Sequence, residues 1–357
     1  MDYKYVIIGA GNGGQSLAGD MTLRGTKVSA IYDKNPAPIE SIRKAGGIQM
    51  SGPVVQGFAP IDHPTASLED AMQQGNVFLV TIVANFHPQL AKEMAPYVRE
   101  SDIIILIPGN AGSSLIFRKT LQECGVEKLP LIGETISMPY ATRLLGEAHA
   151  GIKARKLALP AAALPASRNE EFFAALSGAI PEATLWSDSL SVGMNNFNPC
   201  GHVPYYLLNI GKVEAPTPAD ADFHAWNTPT TDRISELYDG ERIAVMNALG
   251  LTPLSNQEAQ KLCYANKHYV PIKQDSDRPL NAVQVPDRFI EEDVPLNMVL
   301  VSDLGHKLGI ATPVTDLLID LSNLVRQKDF RVLGTKAETL GIQSLDKESI
   351  RALIGIK

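Results

Sequence analysis

The stretch that decides the fold is Tyr5-Val6-Ile7-Ile8-Gly9-Ala10-Gly11-Asn12-Gly13-Gly14. Its four consecutive apolar residues predict a buried β-strand, and the six residues after them match the pattern G-x-G-x-x-G. A helical pattern continues over residues 15–23, and a second strand pattern over residues 27–32 leads into Asp33. A glycine loop between a strand and a helix, with an acidic residue about 20 positions further on, is typical of a dinucleotide-binding unit.

Each glycine of this loop has a physical role in such a unit. Gly9 allows a tight turn, Gly11 lets a diphosphate approach the backbone, and Gly14 lets the helix pack on the strand. The N-terminus of the helix adds free N–H groups and the positive end of the helix dipole. The predicted cofactor-binding residues of the loop are Gly9, Gly11, Asn12, Gly13 and Gly14. The alternatives are a glycine turn that binds nothing and a loop that binds FAD.

Asp33 bears on the choice of cofactor. A carboxylate at this position accepts hydrogen bonds from the adenosine ribose hydroxyls and repels a 2′-phosphate, so NAD(H) is favoured. Lys27 and Lys34 are close in sequence and soften this preference, which leaves NADP(H) open.

Apolar runs alternate with helical patterns over the first 135 residues. Residues 77–82, 103–107 and 130–133 predict strands of a parallel sheet that is covered on both faces. From about residue 190 long helical patterns dominate, as at residues 234–249 and 314–328, whereas residues 215–222 and 275–287 predict loops. We predict an α/β protein with an N-terminal Rossmann-type doubly wound sheet (1–187) and a C-terminal, mostly α-helical domain (188–357).

The composition is that of a globular protein of about two domains. The chain has 357 residues, of which 45% are apolar and 20% charged. Its 32 basic and 39 acidic residues give a net charge of −7, which argues against a nucleic-acid binder. The long helices of the second domain allow a homodimer, but no pattern specifies one.

The three cysteines are far apart and show no metal-ligand spacing, so we predict neither a zinc site nor a disulfide framework. Scattered cysteines fit a reducing compartment. The N-terminus lacks the basic and apolar regions of a signal peptide, and the longest apolar run is too short to span a bilayer. We therefore expect a cytoplasmic protein with no membrane association.

His202 has the most suggestive surroundings among the seven histidines. It lies in Asn195-Asn196-Phe197-Asn198-Pro199-Cys200-Gly201-His202-Val203-Pro204, a run that is rich in asparagine and flanked by apolar residues. Such a run suits a buried, hydrogen-bonded site at the start of a helix. A lone histidine is more often a surface or core residue, so composition alone leaves both interpretations open.

A cation and an acid lie five residues apart in Arg288-Phe289-Ile290-Glu291-Glu292-Asp293-Val294-Pro295, where Pro295 is expected to stop any continuing helix. A carboxylate can orient an imidazole and stabilise its protonated form, and an arginine can hold a substrate carboxylate bidentately. A solvated charged turn is the other interpretation, because the sequence does not show whether Asp293 meets His202.

Further motifs follow the glycine loop in a fixed order. They are Ile-Pro-Gly-Asn-Ala-Gly (107–112), Glu-Thr-x-x-x-Pro-Tyr-x-x-Arg (134–143), Asn-Pro-x-x-His (198–202), Arg-Phe-x-x-Glu-Asp-Val-Pro (288–295) and Gly-Ile-Ala-Thr-Pro (309–313). In this order the chain resembles the octopine/nopaline (opine) dehydrogenase family over nearly its whole length. The glutamate–threonine, histidine and arginine–aspartate motifs are much more specific than the glycine loop.

The resemblance implies a Rossmann domain that binds nicotinamide cofactor and a helical domain that closes over the substrates. It implies an enzyme that reversibly condenses a 2-oxo acid, such as pyruvate, with the amino group of an amino acid and reduces the imine with NADH or NADPH. His202 and Asp293 would form the catalytic pair, and Arg288 would bind the oxo-acid carboxylate. Asn110 and Thr135 would lie near the oxo acid and the nicotinamide.

The sequence departs from the family at the aromatic residue of the arginine–aspartate motif, which is usually tyrosine and is Phe289 here. Any role of that hydroxyl is lost. Two other classes stay open: a reductase of 2-oxo acids without an amine substrate, as in ketopantoate reduction, and a non-catalytic nucleotide-sensing or scaffold protein. Ketopantoate reductases usually rely on a lysine of the helical domain; Lys212 and Lys267 are available, but neither lies in a matching motif.

Overall fold

The computed structural model describes residues 2–214, 227–264, 287–344 and 346–356, which form two compact units. Within the described residues, the first unit comprises 2–193, 261–264 and 352–356, and the second comprises the rest. The predicted domain boundary between residues 187 and 188 lies close to residue 193, where the first segment of the first unit ends. The predicted loop at 215–222, the loop at 275–287 apart from Asp287, and Lys267 lie outside the described residues.

An eight-stranded sheet forms the centre of the first unit. In spatial order its strands are β12 (Ala183–Leu185), β11 (Leu159–Leu164), β8 (Leu131–Thr135), β7 (Ile103–Leu106), β6 (Val77–Val80), β1 (Tyr5–Ile8), β2 (Val28–Tyr32) and β5 (Pro64–Thr65). The strands from β8 to β5 are parallel, and β11 is antiparallel to β8. Every residue of β1, β6 and β7 is buried, which explains their uninterrupted apolar sequences. The predicted doubly wound sheet is confirmed.

Helices cover this sheet. They are α1 (Asn12–Leu23), α2 (Pro36–Ala45), α3 (Leu68–Gln73), α4 (His87–Met94), α5 (Ser113–Glu123), α6 (Asn169–Ala179) and α7 (Ser189–Met194). On one face, Met94 of α4 and Phe117 of α5 pack with Phe78 of β6 in a continuous apolar core. The sequence predicts a helix over residues 87–98 that Pro96 ends or kinks early, and the structure ends α4 at Met94, two residues before Pro96.

A second, four-stranded sheet was not predicted. Its order is β4 (Gly57–Pro60), β3 (Gly47–Ser51), β10 (His149–Arg155) and β9 (Tyr140–Gly146), and only the pair β3–β10 is parallel. This sheet packs on α1, where Gly19 permits a close approach: a Cβ atom at Gly19 would overlap the Met50 side chain. The small sheet therefore fixes the outer side of the helix that follows the glycine loop.

Asp20 connects α1 to the small sheet. Its carboxylate is fully buried and accepts hydrogen bonds from the Tyr140 hydroxyl at 2.6 Å, from Arg24 Nε at 2.9 Å and from Arg155. A buried carboxylate needs such partners because burial of an unpaired charge is strongly unfavourable.

Two later segments complete the first unit. The Leu157 N–H, between β10 and β11, donates to the Cys263 carbonyl at 2.8 Å. Residues 352–356 also pack here: a Cβ atom at Gly355 would lie 2.5 Å from Pro165 Cβ, so the two backbones are in close contact. The first unit is thus assembled from three separate parts of the chain.

The described part of the second unit is helical, as predicted. Its helices are α8 (Asn198–Leu208), α9 (Ile210–Val213), α10 (Pro229–Ala248), α11 (Asn256–Tyr264), α12 (Arg288–Glu291), α13 (Val299–Leu308), α14 (Pro313–Arg326), α15 (Phe330–Leu333), α16 (Ala337–Leu340) and α17 (Lys347–Ile354), of which α11 and α17 extend into the first unit. Its core joins apolar side chains of α8, α10, α12, α14 and α15. Among the described residues, no helix combines the length and the apolar character needed to cross a bilayer.

The helix that precedes Pro295, α12, ends at Glu291, so Pro295 does not lie inside a continuing helix, as expected. The sequence does not predict that a new helical segment begins at this proline. Pro295 lies in a π-helical turn, Val294–Met298, which runs directly into α13. Proline is tolerated in the first turn of a helix because its missing N–H has no partner to lose there. The turn places Asp293 immediately before a continuous, buried helical segment rather than in a solvated loop.

Candidate active site

The glycines of the loop differ in their surroundings. Gly9 and Gly14 are closely packed within the protein, whereas Gly11 lies beside open space. Gly9 has a φ of +108°, and a Cβ atom at Gly14 would overlap the Gly9 carbonyl oxygen, so both positions require glycine for packing of α1 on β1. A Cβ atom at Gly11 would have no heavy atom within 4 Å. Gly11 is also the N-cap of α1, and no side chain caps that end of the helix. Open space beside uncapped N–H groups fits a diphosphate.

Asn12 and Gly13, the other two predicted cofactor-binding residues of the loop, contact residues 138 and 144 of the same unit. The Asn12 side chain accepts a hydrogen bond from the Leu144 N–H at 2.8 Å, so its side-chain oxygen is engaged by β9. A Cβ atom at Gly13 would lie 2.6 Å from Met138 Cε. Gly13 and Asn12 can therefore contribute their backbone N–H groups to a ligand, while their other sides pack against residues 138 and 144.

Asp33 lies directly beside the loop. Its Oδ2 accepts a hydrogen bond from the Ala10 N–H at 2.7 Å, and its Oδ1 accepts one from the Asn35 N–H at 2.8 Å. These bonds fix a half-buried carboxylate at the carboxyl end of β2, where ribose hydroxyls are bound in dinucleotide-binding sheets. Lys27 precedes β2 and is about 20 Å away along the strand, so it does not act on the same ribose.

Asn110 and Thr135 lie at the carboxyl ends of the neighbouring strands β7 and β8, the edge at which open α/β sheets bind ligands. Both residues are buried. The Gly109 N–H donates to the Thr135 carbonyl at 3.0 Å and joins the two segments. The Thr135 hydroxyl donates to the Ser137 carbonyl at 2.9 Å, which leaves its oxygen able to accept a hydrogen bond.

Glu134, to which the glutamate–threonine motif assigns no role, is fully buried between these residues. Its Oε2 accepts a hydrogen bond from the Ser114 N–H at 2.8 Å, in the first turn of α5. Cβ atoms at Gly109 and Gly193 would lie 2.6 Å from Glu134 Cβ and 2.5 Å from Glu134 Oε1, so two glycines enclose the carboxyl group. Burial raises its pKa to about 8, which makes it mainly a neutral acid at physiological pH. Its place beside Thr135 in the glutamate–threonine motif is the sequence signal for it.

His202 and Asp293 meet in the second unit, although 91 residues separate them. His202 Nδ1 and Asp293 Oδ2 are 2.6 Å apart, and the Asp293 side chain is 6% exposed against 20% for His202. Because a carboxylate only accepts, the Nδ1 proton is directed to Asp293, and Nε2 is left for other partners. This is the arrangement in which a carboxylate orients a histidine for proton transfer.

His202 lies on α8, a helix that contains a proline in its interior. Pro204 lies inside α8 and has no N–H to donate to the Cys200 carbonyl one turn earlier. The buried Ser235 hydroxyl of α10 donates to that carbonyl at 2.6 Å instead. The asparagine-rich run before α8 is buried and hydrogen-bonded as expected: Asn195 accepts from Arg242 at 3.0 Å and donates to the Thr252 carbonyl at 2.7 Å.

Phe289 lies flat against the imidazole of His202. The two ring centroids are 3.5 Å apart and the ring planes differ by 5°. The guanidinium carbon of Arg288 is 5.8 Å from the centroid of Phe289. The Arg288 side chain is 55% exposed and makes a long, 3.9 Å ion pair with Glu292. The ring of Phe289 holds the imidazole in one plane, and Arg288 presents an accessible cation next to it.

Two separate parts of the chain match models of protein families. Residues 4–107 match the family described as NADP oxidoreductase, coenzyme F420-dependent, and residues 186–326 match the alpha-helical domain of NAD/NADP octopine/nopaline dehydrogenase. A nucleotide-binding sheet followed by this helical domain defines an NAD(P)-dependent oxidoreductase that acts on CH–NH groups.

Individual proteins narrow the class. The opine dehydrogenase of Arthrobacter sp. (strain 1C) is 30% identical over 355 residues, which cover 98% of both chains. Octopine dehydrogenase with NADH and pyruvate has a similar structure, with a TM-score of 0.76 and 19% identity over 100% of this chain and 99% of the other. Yersinopine dehydrogenase with NADP+ has a TM-score of 0.72 and 15% identity over 99% and 98%. The chain belongs to the opine dehydrogenase family.

Gly11→Ala and Gly14→Ala should separate ligand binding from folding. Gly11→Ala should leave the free energy of unfolding unchanged, because its Cβ enters open space, and should weaken NADH binding at least about tenfold if the diphosphate approaches there. Gly14→Ala should lower the free energy of unfolding by about 3 kcal/mol through overlap with Gly9. Chemical denaturation and calorimetric titration of NADH check both; unchanged NADH affinity in Gly11→Ala would contradict the assignment.

Glu134→Gln should change the pH dependence of stability. In the unfolded chain the carboxyl group loses its proton above its ordinary pKa of 4.5, whereas in the native protein it keeps the proton up to about pH 8. The wild-type protein therefore loses stability from this group as the pH rises between these values, by at most about 1.4 kcal/mol per pH unit. Glutamine mimics the protonated group and removes that loss.

Denaturation curves at about pH 5 and about pH 8 measure the effect. The difference in the free energy of unfolding between Glu134→Gln and wild type should grow in favour of the variant as the pH rises. The control is Glu100→Gln, since the Glu100 side chain is 66% exposed in a 3.7 Å pair with Lys128. A difference that does not vary with pH would show that Glu134 is ionised in the native protein.

Phe289→Leu should lower kcat severalfold, because the flat ring that packs on the imidazole is lost and His202 is held less firmly in its orientation toward Asp293. Steady-state kinetics measure the effect. Phe289→Tyr keeps the ring and is the matched control, with kcat nearly unchanged. An equal loss in both variants would refute a role for the stacked ring.

Proposed function

We propose that the protein is an opine dehydrogenase that joins a 2-oxo acid of the pyruvate type to the amino group of an amino acid. The product is an N-(1-carboxyalkyl) amino acid, and one water molecule is released. The observation that carries the proposal is the 2.6 Å bond between His202 Nδ1 and buried Asp293, which gives the helical unit an oriented proton donor and acceptor.

Arg288 is assigned to the carboxylate of the oxo acid. Its guanidinium is accessible and lies beside the Phe289–His202 stack, so a carboxylate held by its N–H groups brings the adjacent carbonyl carbon close to the imidazole. Glu292, which lies four residues further along the chain, is buried and forms a 3.9 Å ion pair with this arginine.

His202 supplies and removes protons during condensation. The amine nitrogen attacks the carbonyl carbon, and the imidazolium gives its Nε2 proton to the carbonyl oxygen, which becomes a hydroxyl group. The neutral imidazole then takes a proton from the attacking nitrogen and passes it to that hydroxyl, which leaves as water as the C=N bond forms. Asp293 holds Nδ1–H and stabilises the charge that the imidazole carries between these transfers. General acid–base catalysis of this kind contributes about 10²–10⁴-fold.

The cofactor is assigned to the first unit. A nicotinamide dinucleotide supplies the hydride that reduces the C=N bond. Gly11 and the N-terminus of α1 are assigned to its diphosphate, and Asp33 to the hydroxyls of its adenosine ribose. NAD(H) is favoured, and NADP(H) remains open because a relative of the same fold was solved with NADP+. Asn110 and Thr135 are assigned to polar contacts near the oxo acid.

A small substrate screen tests the proposal. Purified protein is mixed with NADH or NADPH, pyruvate and single amino acids, and both cofactor oxidation and the secondary amine product are measured. The expected result is oxidation that requires both substrates and yields one secondary amine per cofactor. Oxidation with the oxo acid alone would identify an amine-independent reductase, and cofactor binding without any turnover would identify a nucleotide sensor; either outcome would overturn the proposal.

His202→Asn should lower kcat by about a hundredfold or more, since asparagine can still bond to Asp293 but cannot transfer a proton. NADH affinity, measured by titration, should stay near normal. His306→Asn is the matched control, because His306 also pairs with an aspartate, Asp316, at 2.9 Å in the same unit but is 58% exposed. Full turnover in His202→Asn, or an equal loss in His306→Asn, would refute the role of His202.

A cytoplasmic location and a homodimer are further parts of the proposal. The location is supported by three free thiols, of Cys124, Cys200 and Cys263. The dimer is supported by apolar side chains on α14 and α15 that are 63–77% exposed, namely Leu317, Leu324, Val332 and Leu333. Sedimentation of the purified protein measures the oligomeric state directly.

A further inference from the structure

Next to Asp33, at the carboxyl end of β2, lies a pair of opposite charges. The Lys34 ammonium donates to Glu93 Oε1 at 2.7 Å, and Glu93, on α4, also accepts a hydrogen bond from Gln89 Nε2 at 2.9 Å. Glu93 is 26% exposed and Lys34 75% exposed, so the glutamate is the more fixed partner. The lysine next to the predicted ribose site is therefore held by a carboxylate of another helix.

Asp33 and Glu93 both lie close to the side chain of Tyr32. Burial raises the pKa of the Tyr32 hydroxyl, and the charges of Glu93 and Asp33 raise it further, so both carboxylates lie close to this side chain. Two carboxylates and one ammonium leave a formal charge of −1 here. A 2′-phosphate adds two further negative charges to a site that already has an excess of negative charge.

We propose that Glu93 is a second determinant of cofactor selectivity, which acts by holding Lys34 away from the 2′-phosphate of NADP(H). In this arrangement, Asp33 accepts hydrogen bonds from the ribose hydroxyls of NAD(H). Glu93 binds the Lys34 ammonium, which would otherwise bind a phosphate at the same place. Glu93 acts through its contact with Lys34, so it is a positioning residue. The inference rests on the proposed function, since it assumes that a nicotinamide dinucleotide binds beside Asp33.

Lys34 is the residue through which this effect operates. An exposed ammonium is a flexible point charge on a long stem, and it can turn to a phosphate once its carboxylate partner is removed. An exposed ion pair is weak, so its removal is expected to cost the protein little stability and to change phosphate affinity severalfold rather than by orders of magnitude.

Direct titration of NADPH and of NADH into the full-length protein, without substrates, tests the inference. Glu93→Gln should tighten NADPH binding about three- to fivefold and leave NADH binding unchanged within about twofold. The gain for NADPH should shrink with added salt, because it comes from exposed charges. Glu93→Gln combined with Lys34→Met should lose the gain.

Glu40→Gln is the matched control. It removes the same charge from an exposed pair with Arg43 on α2, and it should leave both affinities unchanged. An equal change for NADPH and NADH in Glu93→Gln, or a gain that persists without Lys34, would overturn the role of Glu93 while the proposed function stands. Failure of the wild-type protein to bind either dinucleotide would overturn both.

Discussion

The bond between His202 and Asp293 joins two segments that are 91 residues apart, and the proposed chemistry of the second unit depends on it. The Asp293 carboxylate is buried, so it needs a partner that can carry the opposite charge. His202 is that partner, and Phe289 covers the ring from its face. The same contact therefore compensates the burial of a charge and fixes the orientation of a proton-transferring group, which links the stability of the helical unit to its chemistry.

The features that the sequence predicts best are those that depend on residues close together in the chain. The glycine loop, its strand and its helix follow from spacing alone, because the constraint between Gly9 and Gly14 acts within one turn. The buried strands are equally evident, since a strand covered on both faces needs apolar residues at every position. His202 and Asp293 were identified as partners by resemblance to a family; no rule of periodicity brings such distant residues together.

The features that were missed depend on tertiary contacts. The four-stranded sheet pairs β3 with β10 across about a hundred residues, and its strands mix buried and exposed positions without a clean alternation. The helical segment that begins at Val294 and leads into α13 starts with a π-helical turn that no single residue signals. The surroundings of two buried carboxyl groups also depend on tertiary contacts. Asp20 lies beside two arginines, whereas Glu134 lies at a helix N-terminus and is enclosed by two glycines. The sequence does not distinguish these surroundings.

The construction of the first unit from three parts of the chain has a consequence for synthesis. The sheet and its glycine loop lie within the first 193 residues, but the unit also uses residues 261–264 and 352–356. On the ribosome, the partner of the Leu157 N–H emerges about a hundred residues later, and the segment beside Pro165 later still. The nucleotide-binding unit can therefore begin to fold early but reaches its final packing only after nearly all of the helical unit has been translated.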